Sequence, residues 1–284
     1  MNRVVIPFVA PGKGVPRILY QIFLEGFSAQ PDKVHDGIAD MRARNPGWDY
    51  RFYDAAAAER FIRDFYGPDM LAAYLRIDPV YSAARSDLLR YLLCYAHGGV
   101  YLDTKSTATR PLDDVLLADD CFLIGQWKEL RDLPAAQSSH PETRHIAGCE
   151  YVNWFVVSAP GHPFLRAVIE QVLSNISTYN PFRQGVGRHA VLRLTGPLAY
   201  TLAIHPIRSA HPHRYVRFDT DIGFEYSIYG DPFSHRTQFG KHYSTATRPL
   251  TIGNPVRRHA TEILYGRITP FVERVRNKLA RLVR

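Results

Sequence analysis

The chain has 284 residues, of which 46% are hydrophobic and 22% are charged. This balance is typical of globular proteins and excludes long disordered stretches, and the length suffices for one large α/β domain or two small ones. The formal net charge is +8, but most of it falls after residue 256, so a nucleic-acid-binding surface over the whole body is not expected. Three widely spaced cysteines without a CxxC pair argue against a disulfide framework or a zinc knuckle and favour a cytoplasmic protein.

The first part of the chain alternates between predicted strands and helices. Arg17–Phe23 is an apolar run that predicts a buried strand, and Lys33–Arg44 has a helix-compatible sequence. Trp48–Tyr53 alternates and is rich in aromatic residues, which indicates a second strand, and Ala55–Tyr66 follows with good helix formers. This order predicts a mostly parallel, Rossmann-like sheet flanked by helices.

A third helix and strand follow. Tyr81–Ala96 contains no Gly or Pro and has apolar residues at helical spacing, and His97-Gly98-Gly99 is a helix-stop signal. Val100–Leu102 is then a short β-prone run that ends at Asp103. Ligands in open α/β sheets bind outside the carboxyl ends of the strands. Asp103 is therefore predicted to lie at a ligand site.

The second half predicts elements of both kinds, and then a basic tail. Thr269 is predicted to cap a last helix that runs to Arg284, with an apolar stripe surrounded by Arg and Lys. Such a helix lies on an anionic membrane or packs against the body or a partner. The other predicted elements are the strands Cys121–Trp127 and Tyr151–Ser158, the helix Pro163–Ser174, a helical stretch Gly185–Ala203 that is interrupted at Gly196-Pro197, and short strands within Arg214–Tyr229.

Asp87 and Arg90 are three residues apart on a helix that is otherwise mostly apolar, so they share one face and are expected to be buried. One interpretation is a structural ion pair. The other is that Arg90 faces the phosphate or sugar of a ligand while Asp87 accepts a hydrogen bond from a sugar hydroxyl. Spacing alone leaves both open.

Two runs in this region, Ser86-Asp87-Leu88-Leu89-Arg90-Tyr91 and Gly98-Gly99-Val100-Tyr101-Leu102-Asp103, resemble the DXD sugar-binding region of glycosyltransferase family 32. Shorter similarities extend the resemblance to roughly residues 15–197. It implies a GT-A fold that binds a UDP- or GDP-linked sugar, with Mn²⁺ or Mg²⁺ bridging the aspartate and the diphosphate, and retention of anomeric configuration. Residues 1–255 are expected to form one catalytic domain, with a nucleotide-sugar half (15–110), an acceptor half (111–255) and a separate basic tail (256–284).

The resemblance also implies roles for individual residues. Asp103, Asp87 and Arg90 are expected to be catalytic, with Asn153 and Gly196 on the acceptor side and Asp103 and His242 as metal ligands. The residues expected to bind the donor are Tyr20, Gln21, Ser86, Asp87, Arg90, Tyr91, Gly99, Tyr101, Asp103 and Lys105.

The sequence departs from the family pattern at Lys105, which stands where the second aspartate of DXD is expected. Lys105 either places a positive charge near the diphosphate and reduces the role of the metal, or points away while Asp103 and a later residue hold the ion. His242 is the candidate for that later ligand.

The sequence therefore predicts a glycosyltransferase that moves a sugar from a nucleoside-diphosphate sugar to a glycan or lipid-linked acceptor, in the cytoplasm or at the inner membrane surface. Two alternatives remain: a non-catalytic nucleotide-sugar or glycan-binding module, and a basic interaction protein that acts through its tail. No nucleic-acid partner is expected.

Overall fold

A four-stranded sheet forms the centre of the fold. The computed structural model describes residues 4–130, 132, 140–230, 243–253 and 255–271. The strand order is β2-β1-β3-β6, where β1 is Ile18–Ile22, β2 is Asp49–Tyr53, β3 is Gly99–Leu102 and β6 is Phe155–Ser158. β1 pairs in parallel with both β2 and β3, and β6 is antiparallel to β3. The predicted α/β class, with a mostly parallel sheet between helices, is confirmed.

The remaining elements are short strands and helices around this sheet. β4 (Thr107–Ala108) pairs with β8 (Phe224–Glu225), and β5 (Leu123–Gly125) pairs with β7 (Arg214–Val216). The helices are α1 (Asp32–Arg44), α2 (Ala55–Phe61), α3 (Pro68–Leu75), α4 (Ser82–His97), α5 (Leu112–Val115), α6 (Pro163–Thr178), α7 (Pro181–Gln184), α8 (Gly187–Leu194), α9 (Pro197–Ile204) and α10 (Pro255–Ile263). No helix in the described ranges has both the length and the hydropathy that a bilayer span requires.

Side chains of the central strands alternate between two hydrophobic clusters. Tyr20 and Tyr101 belong to the cluster that includes α4 and α6, whereas Leu19, Val100 and Leu102 belong to a second cluster with Met41 of α1 and Leu112 of α5. Successive side chains of a strand point to opposite faces, so the two clusters cover the two faces of the sheet. Coverage of both faces explains why β1, β3 and β6 are largely apolar, whereas β2 at the sheet edge alternates.

The connection from α4 to β3 depends on two glycines. Gly98 has φ +67° and Gly99 has φ +109°, a region that side chains other than glycine rarely adopt. A Cβ on Gly99 would lie 2.6 Å from the carbonyl oxygen of Ile18, and one on Gly98 would lie 2.6 Å from Pro160 Cδ. The glycines thus allow the chain after α4 to pass close to Pro160 and the start of β3 to approach β1 closely.

The predicted start of the last helix is wrong. A helix begins at Pro255 and continues through a π-helical turn, Leu264–Ile268, and Thr269 has helical backbone angles (φ −58°, ψ −49°) instead of those of a cap. The Leu264 carbonyl oxygen accepts from the Thr269 N–H and also from the Thr269 hydroxyl, at 3.0 Å. The predicted helix beyond Phe271 lies outside the described residues.

Candidate functional site

Asp103 follows directly after β3, at the edge of the sheet where β1 and β3 both end. The chain leaves β1 toward β2 on one side, while β3 lies on the other side, so this edge is a point where the strand order reverses. Open α/β sheets bind ligands at such points. Gln21, near the end of β1, is completely buried, and its Nε2 donates to the Asp103 carbonyl oxygen at 3.4 Å. Its Oε1 accepts from Tyr50 at 3.0 Å, so Gln21 fixes the Asp103 backbone from the neighbouring strand.

The alternation of β3 brings Asp103 and Arg90 together. Tyr101 and Asp103 are two residues apart, so both side chains lie on the face that α4 covers. The guanidinium of Arg90 lies 4.4 Å from the centre of the Tyr101 ring, and its Nη1 lies 3.1 Å from Asp103 Oδ1. The Tyr101 hydroxyl donates to the same oxygen at 2.7 Å. One oxygen of Asp103 is therefore held by two groups from the protein.

Lys105 contacts the other oxygen of Asp103. Its Nζ lies 2.7 Å from Asp103 Oδ2 and 4.4 Å from the centre of the Tyr226 ring. The carboxylate of Asp103 is 19% exposed and the Lys105 side chain 13%, whereas the side chain of Arg90 is only 6% exposed. Asp103 and Lys105 are thus the charged pair of this cluster with the greater access to solvent.

Asp87 lies deeper and forms the second ion pair of the cluster. Arg90 Nη2 is 3.3 Å from Asp87 Oδ1, and the Asn153 amide donates to that oxygen at 3.0 Å. The Thr195 hydroxyl donates to Asp87 Oδ2 at 2.8 Å. Arg90 Nη1 also donates to the Asn153 carbonyl oxygen at 2.6 Å. Arg90 therefore links Asp87, Asp103 and the segment before β6, which is the arrangement expected of a structural ion pair. The predicted contacts of Asp87 and Arg90 with a donor stay predictions.

The two carboxylates have opposite pKa shifts. Burial raises the pKa of Asp87 to about 6, although Arg90 and the Thr195 hydrogen bond act in the opposite direction. Burial also acts to raise the pKa of Asp103, but Lys105 and Arg90 outweigh it and lower that pKa to about 2. Burial tends to lower the pKa of Lys105, whereas Asp103 raises it above its ordinary value, so the ammonium stays charged. Near neutral pH both members of the Asp103–Lys105 pair are therefore ionised.

The structure brings most of the predicted donor-binding residues together, but two lie elsewhere. Tyr20 is completely buried in the core beside α4, and its hydroxyl has no hydrogen-bond partner among the described residues. Gly99 lies at the opposite end of β3 from Asp103, about 13 Å away at the usual strand rise. Packing accounts for both residues. Among the remaining predicted residues, the Tyr91 hydroxyl accepts from Asn153 at 2.8 Å, and the Ser86 carbonyl oxygen accepts from Arg90 Nε at 3.3 Å.

Sequence reasoning missed two residues of this cluster. Thr195 contacts Asp87 directly, whereas the predicted Gly196 precedes α9, where a Cβ would lie 3.0 Å from the Val191 carbonyl oxygen. The Thr195-Gly196-Pro197 run indicates that this part of the chain lies near the site. It does not indicate which of the three residues contacts the cluster. Tyr226 lies beneath Lys105 but is far away in the chain, and no local pattern indicates it.

A divalent cation does not fit the described part of the site. The described residues contain no group of three His, Cys, Asp or Glu side chains that could hold a metal ion. Both oxygens of Asp103 already contact cationic side chains, because Arg90 Nη1 and Lys105 Nζ lie at 3.1 and 2.7 Å. A Mg²⁺ or Mn²⁺ ion at Asp103 would have to share these oxygens with a guanidinium and an ammonium, which repel it. The other predicted metal ligand, His242, lies outside the described residues.

Residues 31–123 match the family model described as the glycosyltransferase sugar-binding region containing the DXD motif. Over residues 31–123 the chain is therefore similar to this region. The matched range includes α4, β3 and the four charged residues of the site, and this confirms the resemblance found in the sequence.

Named relatives and solved structures are similar to parts of the chain. It is 22% identical to "Putative glycosyltransferase HOC1" of Saccharomyces cerevisiae, over 50% of this chain and 36% of that protein. It is 26% identical to "Initiation-specific alpha-1,6-mannosyltransferase" of Candida albicans, over 56% of this chain and 43% of that protein. These matches span about half or less of each relative. The UDP-bound glycosyltransferase domain from the YGT toxin is 10% identical with a TM-score of 0.49, over 76% of this chain and 84% of that domain.

Proposed function

We propose that the protein is a glycosyltransferase that uses a nucleoside-diphosphate sugar. The observation that carries this proposal is the ionised Asp103–Lys105 pair. It lies at the end of β3 in a mostly parallel sheet, within the range that matches the sugar-binding family model. The names of the relatives, which include a mannosyltransferase, support a hexose as the transferred sugar. The donor nucleotide is UDP or GDP, and the acceptor is a hydroxyl of a glycan or a lipid-linked glycan.

In the proposed reaction, the bond between the anomeric carbon and the diphosphate oxygen breaks, and its electron pair leaves with the nucleoside diphosphate. The acceptor oxygen forms a bond to that carbon and loses its proton to the leaving diphosphate or to water. The ammonium of Lys105 stabilises the negative charge that develops on the diphosphate. Asp103 holds that ammonium in place, and Arg90 holds Asp103. The family resemblance favours retention of anomeric configuration.

The proposal is tested by calorimetric titration with UDP-linked and GDP-linked sugars, using the wild-type chain and Asp103→Ala. We expect one class of donor to bind the wild type and Asp103→Ala to bind it at least about tenfold more weakly, because Lys105 loses the carboxylate that holds it. Asp113→Ala is a matched control, since Asp113 is a half-exposed carboxylate on α5 that pairs with Arg17. If the folded wild type binds neither donor class, the proposal is wrong.

We also propose that the C-terminal helical segment attaches the enzyme to an anionic membrane surface, and that it works at the cytoplasmic side. Residues 255–271 include Arg257, Arg258 and Arg267 but only one acidic residue, Glu262. This segment also exposes apolar side chains, with Val256 at 76% and Phe271 at 61%. Basic helices with an exposed apolar side bind anionic lipid surfaces. A lipid-linked acceptor would be reached from such a position.

A further inference from the structure

The charge pattern of the site differs from that of a metal-bridged diphosphate site. Sites built on two aspartates present negative charge, and a divalent cation neutralises that charge together with the charge of the diphosphate. Here Asp87 and Asp103 are already balanced by Arg90 and Lys105, all within one contact network. A divalent cation at Asp103 would lie beside an ammonium and a guanidinium, which repel it.

The position of Lys105 is fixed by the protein on several sides. Its Nζ contacts Asp103 Oδ2, and its side chain lies against the Tyr226 ring. Its carbonyl oxygen accepts from the Ile228 N–H at 2.8 Å, and the hydroxyl of the next residue, Ser106, donates to the Tyr226 carbonyl oxygen at 2.7 Å. A flexible surface lysine would not be held in this way. The ammonium is therefore preorganised next to the open face of Asp103.

A lysine ammonium has three N–H donors, and Asp103 accepts one of them. The remaining donors suit the oxygens of a diphosphate, as lysines do in other phosphate-binding sites. We infer that Lys105 takes the place of the divalent cation, so that this site binds the diphosphate of its donor without a metal. The inference rests on the proposed function and specifies its cofactor requirement.

Titration of the full chain with UDP and GDP, and with the corresponding nucleotide sugars, in EDTA and in excess Mn²⁺ tests the inference. We expect the wild-type dissociation constant to change less than about twofold between the two conditions, since the protein supplies the cation itself. Lys105→Asp restores the spacing of two aspartates. We expect it to bind at least about tenfold more weakly in EDTA and to regain affinity in Mn²⁺.

Two further variants separate charge from folding. Lys105→Met keeps an unbranched apolar side chain over the Tyr226 ring but removes the charge, so we expect weaker binding that Mn²⁺ does not restore. Lys128→Asp makes the same charge change at an exposed lysine 3.7 Å from Asp219, and we expect no effect on binding. Thermal unfolding of each variant shows whether it is folded.

The outcomes distinguish the inference from the proposed function. Wild-type binding that requires Mn²⁺ and disappears in EDTA would overturn the metal-free site but leave the glycosyltransferase proposal intact. The same holds if Lys105→Met binds as tightly as the wild type in EDTA. A folded wild type that binds neither the diphosphates nor their sugars in either condition would overturn both.

Discussion

At the scale of single residues, Asp87 is a carboxylate buried among polar partners, and its pKa of about 6 lies above the ordinary value of 3.8. Because the folded state holds this proton more tightly than the unfolded chain, the contribution of Asp87 to the free energy of unfolding is largest below pH 4. It falls as the pH rises through 6. The pH dependence that Asp103 contributes has the opposite sign. Its lowered pKa stabilises the fold above pH 4, and that stabilisation is lost toward pH 2.

We predict that the wild type loses stability relative to Asp87→Asn as the pH rises from 4 to 7. The difference between their free energies of unfolding should fall by about 1 to 3 kcal/mol. Asparagine cannot ionise, so the variant lacks this pH dependence. Urea denaturation at a series of pH values measures the difference. Asp64→Asn, at an exposed carboxylate outside the site, is the matched control. A difference for Asp87→Asn that does not change with pH would contradict the prediction.

At the scale of secondary-structure elements, the junction of α4 with β3 sets the position of Asp87 and Arg90 on α4 relative to Asp103 after β3. We predict that Gly99→Ala destabilises the fold by at least about 2 kcal/mol, because a Cβ would lie 2.6 Å from a backbone oxygen at a positive φ. Gly47→Ala is the matched control, since nothing lies within 4 Å of its Cβ position and its φ is not positive. Urea denaturation compares the two variants, and equal stabilities would refute this role for the junction.

The same junction shows how much of the fold can be predicted from sequence. The helix-stop signal and the β-prone run place α4 and β3 to within one residue, and the carboxyl-end rule places Asp103 at the site edge. Local patterns do not reveal that β6 runs antiparallel or that α2 ends in a π-helical turn, Ile62–Tyr66. The pairing of β6 depends on a strand distant in the chain. For the same reason spacing indicates Asp87, Arg90 and Asp103, but not Tyr226.

At the scale of the whole molecule, residues 255–271 combine basic residues with exposed apolar side chains. We predict that the full chain sediments with vesicles of phosphatidylglycerol and phosphatidylcholine, but not with vesicles of phosphatidylcholine alone. Added salt should weaken the binding, because part of the attraction is between exposed charges. The combined change Val256→Asp and Phe271→Asp should reduce it at least about tenfold, since charged groups then replace the inserted apolar ones.

Phe8→Asp is the matched control for this prediction, because Phe8 is an equally exposed apolar residue, at 81%, in the N-terminal segment. Membrane binding that is lost to the same extent in this variant would assign the attachment to another surface. Binding that does not depend on anionic lipid would contradict the electrostatic part of the proposal.

The contacts of the site have a consequence for the order in which the protein is made. Asp87 accepts hydrogen bonds from Asn153 and Thr195, which follow it by 66 and 108 residues. Lys105 packs against the ring of Tyr226. During synthesis the ribosome releases α4 and β3 long before these partners exist. The nascent chain therefore carries Asp87 with Arg90 but without Asn153 and Thr195, and contacts between residues so far apart in the chain are slow to form. The site is completed only when most of the chain has emerged.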